Sequence, residues 1–173
     1  LQGEGRLLYI ATMYPYKWNT TEIDPETMQR IERHRAMRAD KGFDTVECYR
    51  HVEHIVAKRQ DVLLLECMSN LLANEMYLEP DSNAGSDMAE TMSPVSNKIV
   101  QALIDLSTRV QELVIVTNDV FSDGGSLTYD ESTREYVKNL AEINCALARE
   151  AATVTEVVCG IPVIVKKNHP TGK

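Results

Sequence analysis

The chain reads as a single α/β domain built on a mostly parallel sheet flanked by helices. Three observations predict this. Short apolar runs alternate with helix-period segments along most of the 173 residues, as expected of repeated strand–helix units. The run from Asp61 to Glu66 (DVLLLE) holds four consecutive apolar residues without polar alternation, the pattern of a buried parallel strand. The apolar runs also end in polar residues, namely Thr12, Glu47, Glu66, and Thr117 with Asn118 and Asp119. A parallel sheet would gather these along its carboxyl edge, where such folds bind ligands.

In chain order, Leu7 to Thr12 (LLYIAT) is the first strand, followed by the polar and aromatic stretch MYPYKWNTTEIDP. Asp24 and Pro25 fit the cap and first turn of a helix. Asp44 to Cys48 reads as a strand, Tyr49 to Lys58 as a helix, and Asp61 to Glu66 as the buried strand. Ser69 to Leu78 reads as helical, and Glu79 to Thr91, rich in Asp, Ser, Asn and Gly, as a mobile loop. A helix from about Pro94 to Val110 leads to the strand Leu113 to Asp119 and a Gly-Gly turn. A helix from about Asp130 to Ala152 and terminal strands around EVVCG and PVIVKK close the order. No internal repeat or interdomain linker interrupts it, so residues 1–173 are taken as one unit.

Composition limits the partners. A formal net charge of −8 argues against non-specific nucleic-acid binding and favours small anionic ligands at local basic sites. No apolar run approaches the roughly 20 residues needed to cross a bilayer, and the first residues lack a signal-peptide pattern, which points to a soluble, cytoplasmic protein. Cys48, Cys67, Cys145 and Cys159 form no CxxC pair and read as buried thiols in a reducing compartment. His51, His54, Glu47 and Cys48 match no closed zinc pattern.

The segment RIERHRAMR places Arg30, Arg33, Arg35 and Arg38 around His34. Residues four apart on a helix advance about 400°, so Arg30, His34 and Arg38 share one face. Guanidiniums bind phosphate oxygens two at a time, and a neutral imidazole between them can act as nucleophile or proton carrier. The same pattern also suits a solvated basic face balancing Glu22, Asp24, Glu26 and Glu32. Glu66 has the setting of a Walker-B-type acid that holds magnesium directly or through water.

These residues resemble the bifunctional adenosylcobinamide kinase/adenosylcobinamide-phosphate guanylyltransferases of cobalamin biosynthesis. The most specific segment is D-x-E-x-x-x-R-I-x-x-H-x-x-x-R, here Asp24, Glu26, Arg30, Ile31, His34 and Arg38. Its order is supported by VEC around Glu47, LLLEC around Glu66, VTND ending at Asp119, Arg134 ten residues before Asn144, and a closing G-I-P followed by Lys166.

The resemblance implies a P-loop NTPase-like, RecA-like fold and two reactions. A nucleoside triphosphate, ATP or GTP, phosphorylates adenosylcobinamide; GTP then donates GMP to that phosphate through a covalent histidine, at the position of His34. It implies that Ile10, Ala11, Thr12, Arg35, Ala36, Met37, Arg38, Glu47 and Glu66 bind nucleotide, and that Arg30, Asp119 and Arg134 support the site. It also implies magnesium at Glu66, a corrinoid substrate and a homotrimer. The alternatives are a P-loop-type kinase or NTPase acting on another metabolite, and a degenerate nucleotide-binding domain without catalysis.

Departures from the family pattern are expected to matter. No G-x-x-x-x-G-K followed by Ser or Thr occurs, and the single Gly-Lys pair is Gly172 and Lys173. A chain without that phosphate cradle and its strand should bind triphosphate weakly and fail as a kinase, so the sequence is expected to begin inside a longer protein. The usual glutamate after VTN is Asp119, the Phe-Arg-Asp of the late helix is Tyr136, Val137 and Lys138, and its glycine is Ala141.

Overall fold

The computed structural model describes residues 5–18, 20–78, 92–120 and 129–168. Four strands, β1 (Leu7–Ala11), β2 (Phe43–Glu47), β3 (Val62–Glu66) and β4 (Glu112–Val116), form one sheet in the order β2-β1-β3-β4, every pair parallel. Register brings Ala11 level with both Glu47 and Glu66, and Glu66 level with Val116. The polar strand ends therefore share one edge, as expected.

Strand alternation sorts the side chains into two faces. Leu8, Ile10, Leu63 and Leu65 point inward and are at most 1% exposed. Against them pack helices α2 (Met68–Tyr77), α3 (Pro94–Arg109) and α4 (Glu131–Glu150) through Leu71, Leu72, Ile99, Leu103, Leu106, Leu140 and Ile143. Ile99, Leu103 and Leu106 repeat at four and three residues, the stripe that packs a helix onto a sheet. Ser93 and Asp130 accept from the backbone N–H of Ser96 and Thr133 and so cap α3 and α4.

The opposite face is thinly covered. Leu7, Val114 and Val116 there are 40–43% exposed, and the helix that reaches this face, α1 (Pro25–Arg38), has no buried residue. The sheet is flanked by helices as expected, with a full layer on one face and α1 across the carboxyl end of the other. The reason is legible in α1 itself, whose polar surface offers no apolar stripe to bury.

Two expectations are corrected. Tyr49 to Lys58 does not form a helix; a single 3-10 turn spans Val52–His54. Val52, Ile55 and Val56 mimic helical spacing, but His51 adopts a left-handed conformation (φ 57°, ψ 52°) and Ile55 is extended. The His51 N–H donates to Glu75 Oε1 at 2.7 Å, which holds that turn in place. The four cysteines are free, but Cys145 and Cys159 are exposed and the other two only half-buried. Cys145 falls on the outer side of α4, and Cys159 lies in the turn between β5 (Thr153–Val158) and β6 (Ile161–Lys167).

That last pair forms a separate antiparallel hairpin rather than an extension of the sheet. Cys159 and Gly160, at φ 51° and 81°, make the tight turn. Lys166 ties the ribbon back by donating to the carbonyls of Ala148 and Arg149 at the end of α4. The sequence-expected loop over 79–91 and the Gly-Gly turn at 124–125 lie outside the described residues.

Candidate active site

A concavity of about 440 Å³ opens between α1 and the carboxyl edge of the sheet. That volume is within the range of small-molecule sites. Asp24 starts the wall: its carboxylate accepts from the N–H and hydroxyl of Thr27, a hydrogen bond that also holds its pKa below the usual value. With Pro25 next, the helix begins where the loop returns to the sheet. Arg30, His34 and Arg38 then line the cavity together with Ile31, so the shared face expected from their spacing exists.

Polar ties from α1 to the strand ends position this wall. Arg35 pairs with Glu47, whose other oxygen accepts from the Tyr49 hydroxyl at 2.8 Å. The Arg38 guanidinium lies 3.8 Å from the centroid of the Tyr9 ring and donates to Thr45 at 3.3 Å. His34 Nδ1 stands 3.6 Å from Glu66 Oε1, longer than a direct hydrogen bond but close enough for a small closure to make one. Glu66 Oε2 in turn accepts from the Tyr9 hydroxyl at 2.7 Å. Burial, reinforced by that bond, keeps the Tyr9 phenol protonated far above its ordinary range, so it is a donor.

The floor is fixed by the backbone beyond β3. Thr12, fully buried, accepts from Cys67 N at 2.8 Å and donates to Cys67 O at 2.9 Å, across a cis Glu66–Cys67 peptide bond. Asn74 of α2 holds the Thr12 carbonyl at 2.8 Å. Ser69 donates to Asn118, which lines the far side.

The structure thus brings together Ala11, Thr12, Arg30, His34, Arg35, Arg38, Glu47 and Glu66. Ile10 is not among them: as the inward member of β1 its side chain is 0% exposed in the core. Ala36 and Met37 sit on exposed parts of α1 away from the cavity lining, Met37 being 60% exposed. Asp119 and Arg134 are exposed and outside it as well. Sequence reasoning passed over Tyr9, Tyr49 and Ser69, whereas Asn118, expected at the carboxyl edge, does line the cavity. For Tyr9 the signal was available, because alternation with the buried Leu8 and Ile10 aims it at the same side as Ala11.

Burial pushes the Cys48 thiol up to about 11, so it is neither thiolate nor nucleophile at neutral pH. No group of three His, Cys, Asp or Glu side chains among the described residues could hold a metal ion, and no helix among them is long and apolar enough to cross a membrane.

A four-stranded parallel sheet flanked by helices, with a basic helix and a buried-strand carboxylate at its carboxyl edge, is an α/β architecture of the P-loop NTPase-like kind. A family model described as cobinamide kinase / cobinamide phosphate guanyltransferase matches residues 1–165. The chain belongs to that family, which places it in cobalamin biosynthesis. A search of the curated proteins finds no match.

Proposed function

We propose that the cavity under α1 carries the guanylyl transfer, with His34 as the covalent carrier of GMP. The observation that supports this most is the placement of the His34 imidazole at the strand-end edge, between Arg30 and Arg38 and facing Glu66. A contact from Nδ1 to Glu66 leaves Nε2 free to attack. Nε2 forms a bond to the α-phosphorus of GTP while the bond from that phosphorus to the pyrophosphate oxygen breaks. An oxygen of the acceptor's phosphate then attacks the same phosphorus, the P–N bond breaks, and the imidazole returns unchanged with GMP joined through a new P–O–P linkage. Arg30 and Arg38 neutralise charge on the phosphate oxygens; neither makes an ion pair among the described residues. Arg35 can exchange Glu47 for phosphate.

Magnesium fits this site only as an ion held mostly by phosphate oxygens and water, with Glu66 the carboxylate in reach. When bound it would stabilise the departing pyrophosphate. The kinase half, with ATP or GTP as donor, needs the phosphate cradle, whose motif is not in the sequence. The same reading takes a cytoplasmic homotrimer as the working form.

Incubation with GTP labelled at its α-phosphate should leave acid-labile label on the protein, discharged when cobinamide phosphate is added. Label that forms but never discharges onto the acceptor would contradict the transfer. Tyr9→Phe should slow labelling about tenfold, since it removes a charge-assisted bond of about 1.5 kcal/mol to Glu66 while keeping the ring beneath Arg38. Single-turnover rates measure this, and an unchanged rate would remove Tyr9 from the account.

A further inference from the structure

Beside the nucleotide cavity lies a wider groove of about 1310 Å³. The two are contiguous, because Glu47 and Tyr49 line both. The groove differs in character from the first. Tyr14 and Tyr49 meet edge to face at 5.4 Å, and Ile55, Val56 and Leu78 supply apolar surface. Thr20, Thr21, His51 and His54 add hydrogen-bonding groups, and Glu47 and Arg50 are its charged members.

Val56 is 86% exposed, more than any other large apolar side chain among the described residues. It follows Ile55, which is 5% exposed, and the extended backbone after the 3-10 turn sends the two side chains opposite ways. A lone exposed valine means little. This one stands on the lining of a concavity that already holds two tyrosines and two buried aliphatic residues.

We propose that this groove seats the corrin ring of the acceptor, with its phosphate-bearing arm passing Glu47 and Tyr49 to reach His34. The assignment rests on the guanylyl-transfer reading above. Transfer needs the acceptor's phosphate at the guanylylated imidazole while the bulky ring stays outside the nucleotide's space. The groove meets both needs: it is larger than the first cavity, and it opens into it. Its lining of aromatic and aliphatic surface, with a few hydroxyl and imidazole groups and one residue of each charge, Glu47 and Arg50, suits a broad amide-fringed macrocycle better than a polyphosphate. At the junction, Arg35 on Glu47 supplies a cation for an incoming phosphate.

The test is titration of the protein with cobinamide phosphate, read by the corrin absorption bands, in wild type and Val56→Asp, with GTP affinity measured alongside. The exposed position makes the substitution compatible with folding, which a melting curve checks. Burying a carboxylate against the ring and losing the valine's apolar contact should weaken corrinoid binding by at least about tenfold and leave GTP affinity unchanged. Tyr14→Ala, which removes an aromatic ring from the same lining, should weaken it in the same way. Wild-type affinity in both variants overturns the assignment, as does absence of corrinoid binding by the wild type. Should the wild type bind the corrinoid in a Val56-dependent manner yet acquire no label from GTP, the groove stands and the histidine mechanism falls.

Discussion

Replacing His34 by alanine should abolish the GTP-derived label and lower guanylyl transfer by at least about a thousandfold, the scale on which loss of a covalent nucleophile acts. The fold should survive. The His34 side chain is 35% exposed and contributes no core contact, and α1 buries none of its residues. The remaining ties, Arg35 to Glu47 and Arg38 to Tyr9 and Thr45, still hold the helix against the sheet edge. Activity should therefore disappear with the melting temperature little changed. Glu66→Gln makes the complementary point: it preserves shape but removes the charge facing His34, so it should slow the first displacement while GTP still binds. Equal labelling of wild type and His34→Ala would reduce the arginine–histidine segment to a phosphate-binding wall.

The largest stability effect is expected at the opposite end of the sheet. Asp61 is completely buried, and its carboxylate accepts from Arg6 N at 2.9 Å, Arg6 Nη2 at 2.6 Å and Lys58 N at 2.8 Å. Its own carbonyl accepts from Gln111 N, so one residue pins the starts of β1, β3 and β4. Nearby, Gly5 passes so close to Gln60 that a Cβ would lie 1.8 Å from its carbonyl oxygen. Asp61→Ala strips partners from a buried network and should cost about 3 kcal/mol, a large part of the roughly 5–15 kcal/mol of an ordinary domain. Denaturant melts measure it, and a cost below about 1 kcal/mol would show that water replaces the network.

The pH dependence follows from the same contacts. Hydrogen bonding to the Arg6 guanidinium, more than the two backbone donors, holds the Asp61 carboxyl well below the usual carboxylate range, against the opposing effect of burial. A folded-state value below the unfolded one stabilises the protein above the unfolded pKa of about 3.9 and loses that contribution as pH falls through the acid range. Asp61→Asn should flatten this acid dependence.

Much of the architecture could be read from residues whose environment is dictated locally. The strands at LLYIA and VLLLE were legible because their apolar runs are too short and too unbroken for helices, and α3 and α4 because their caps and their three-and-four spacing agree. The helix expected over residues 49–58 failed for the opposite reason. Val52, Ile55 and Val56 carry helical spacing, but the contact that decides their conformation, Glu75 on the His51 N–H, comes from 24 residues away. The terminal ribbon was recognised as strands, yet EVVCG and PVIVKK do not announce whether they join a sheet or pair only with each other.

At the site, the charged members were legible from spacing on α1 and from their places after apolar runs. Facing was the weak point. Ile10 was grouped with Ala11 and Thr12 as one segment, although strand alternation buries it on the side away from the cavity. Ala36 and Met37, which the resemblance implies as nucleotide-binding, sit where the helix turns away from the lined face.

The central claim is that GMP travels on His34. After incubation with GTP, proteolysis and mass analysis should find one GMP residue on the peptide spanning residues 30–38, attached at His34 through a bond stable in base and lost in acid. No adduct, or an adduct on any other residue, would contradict it.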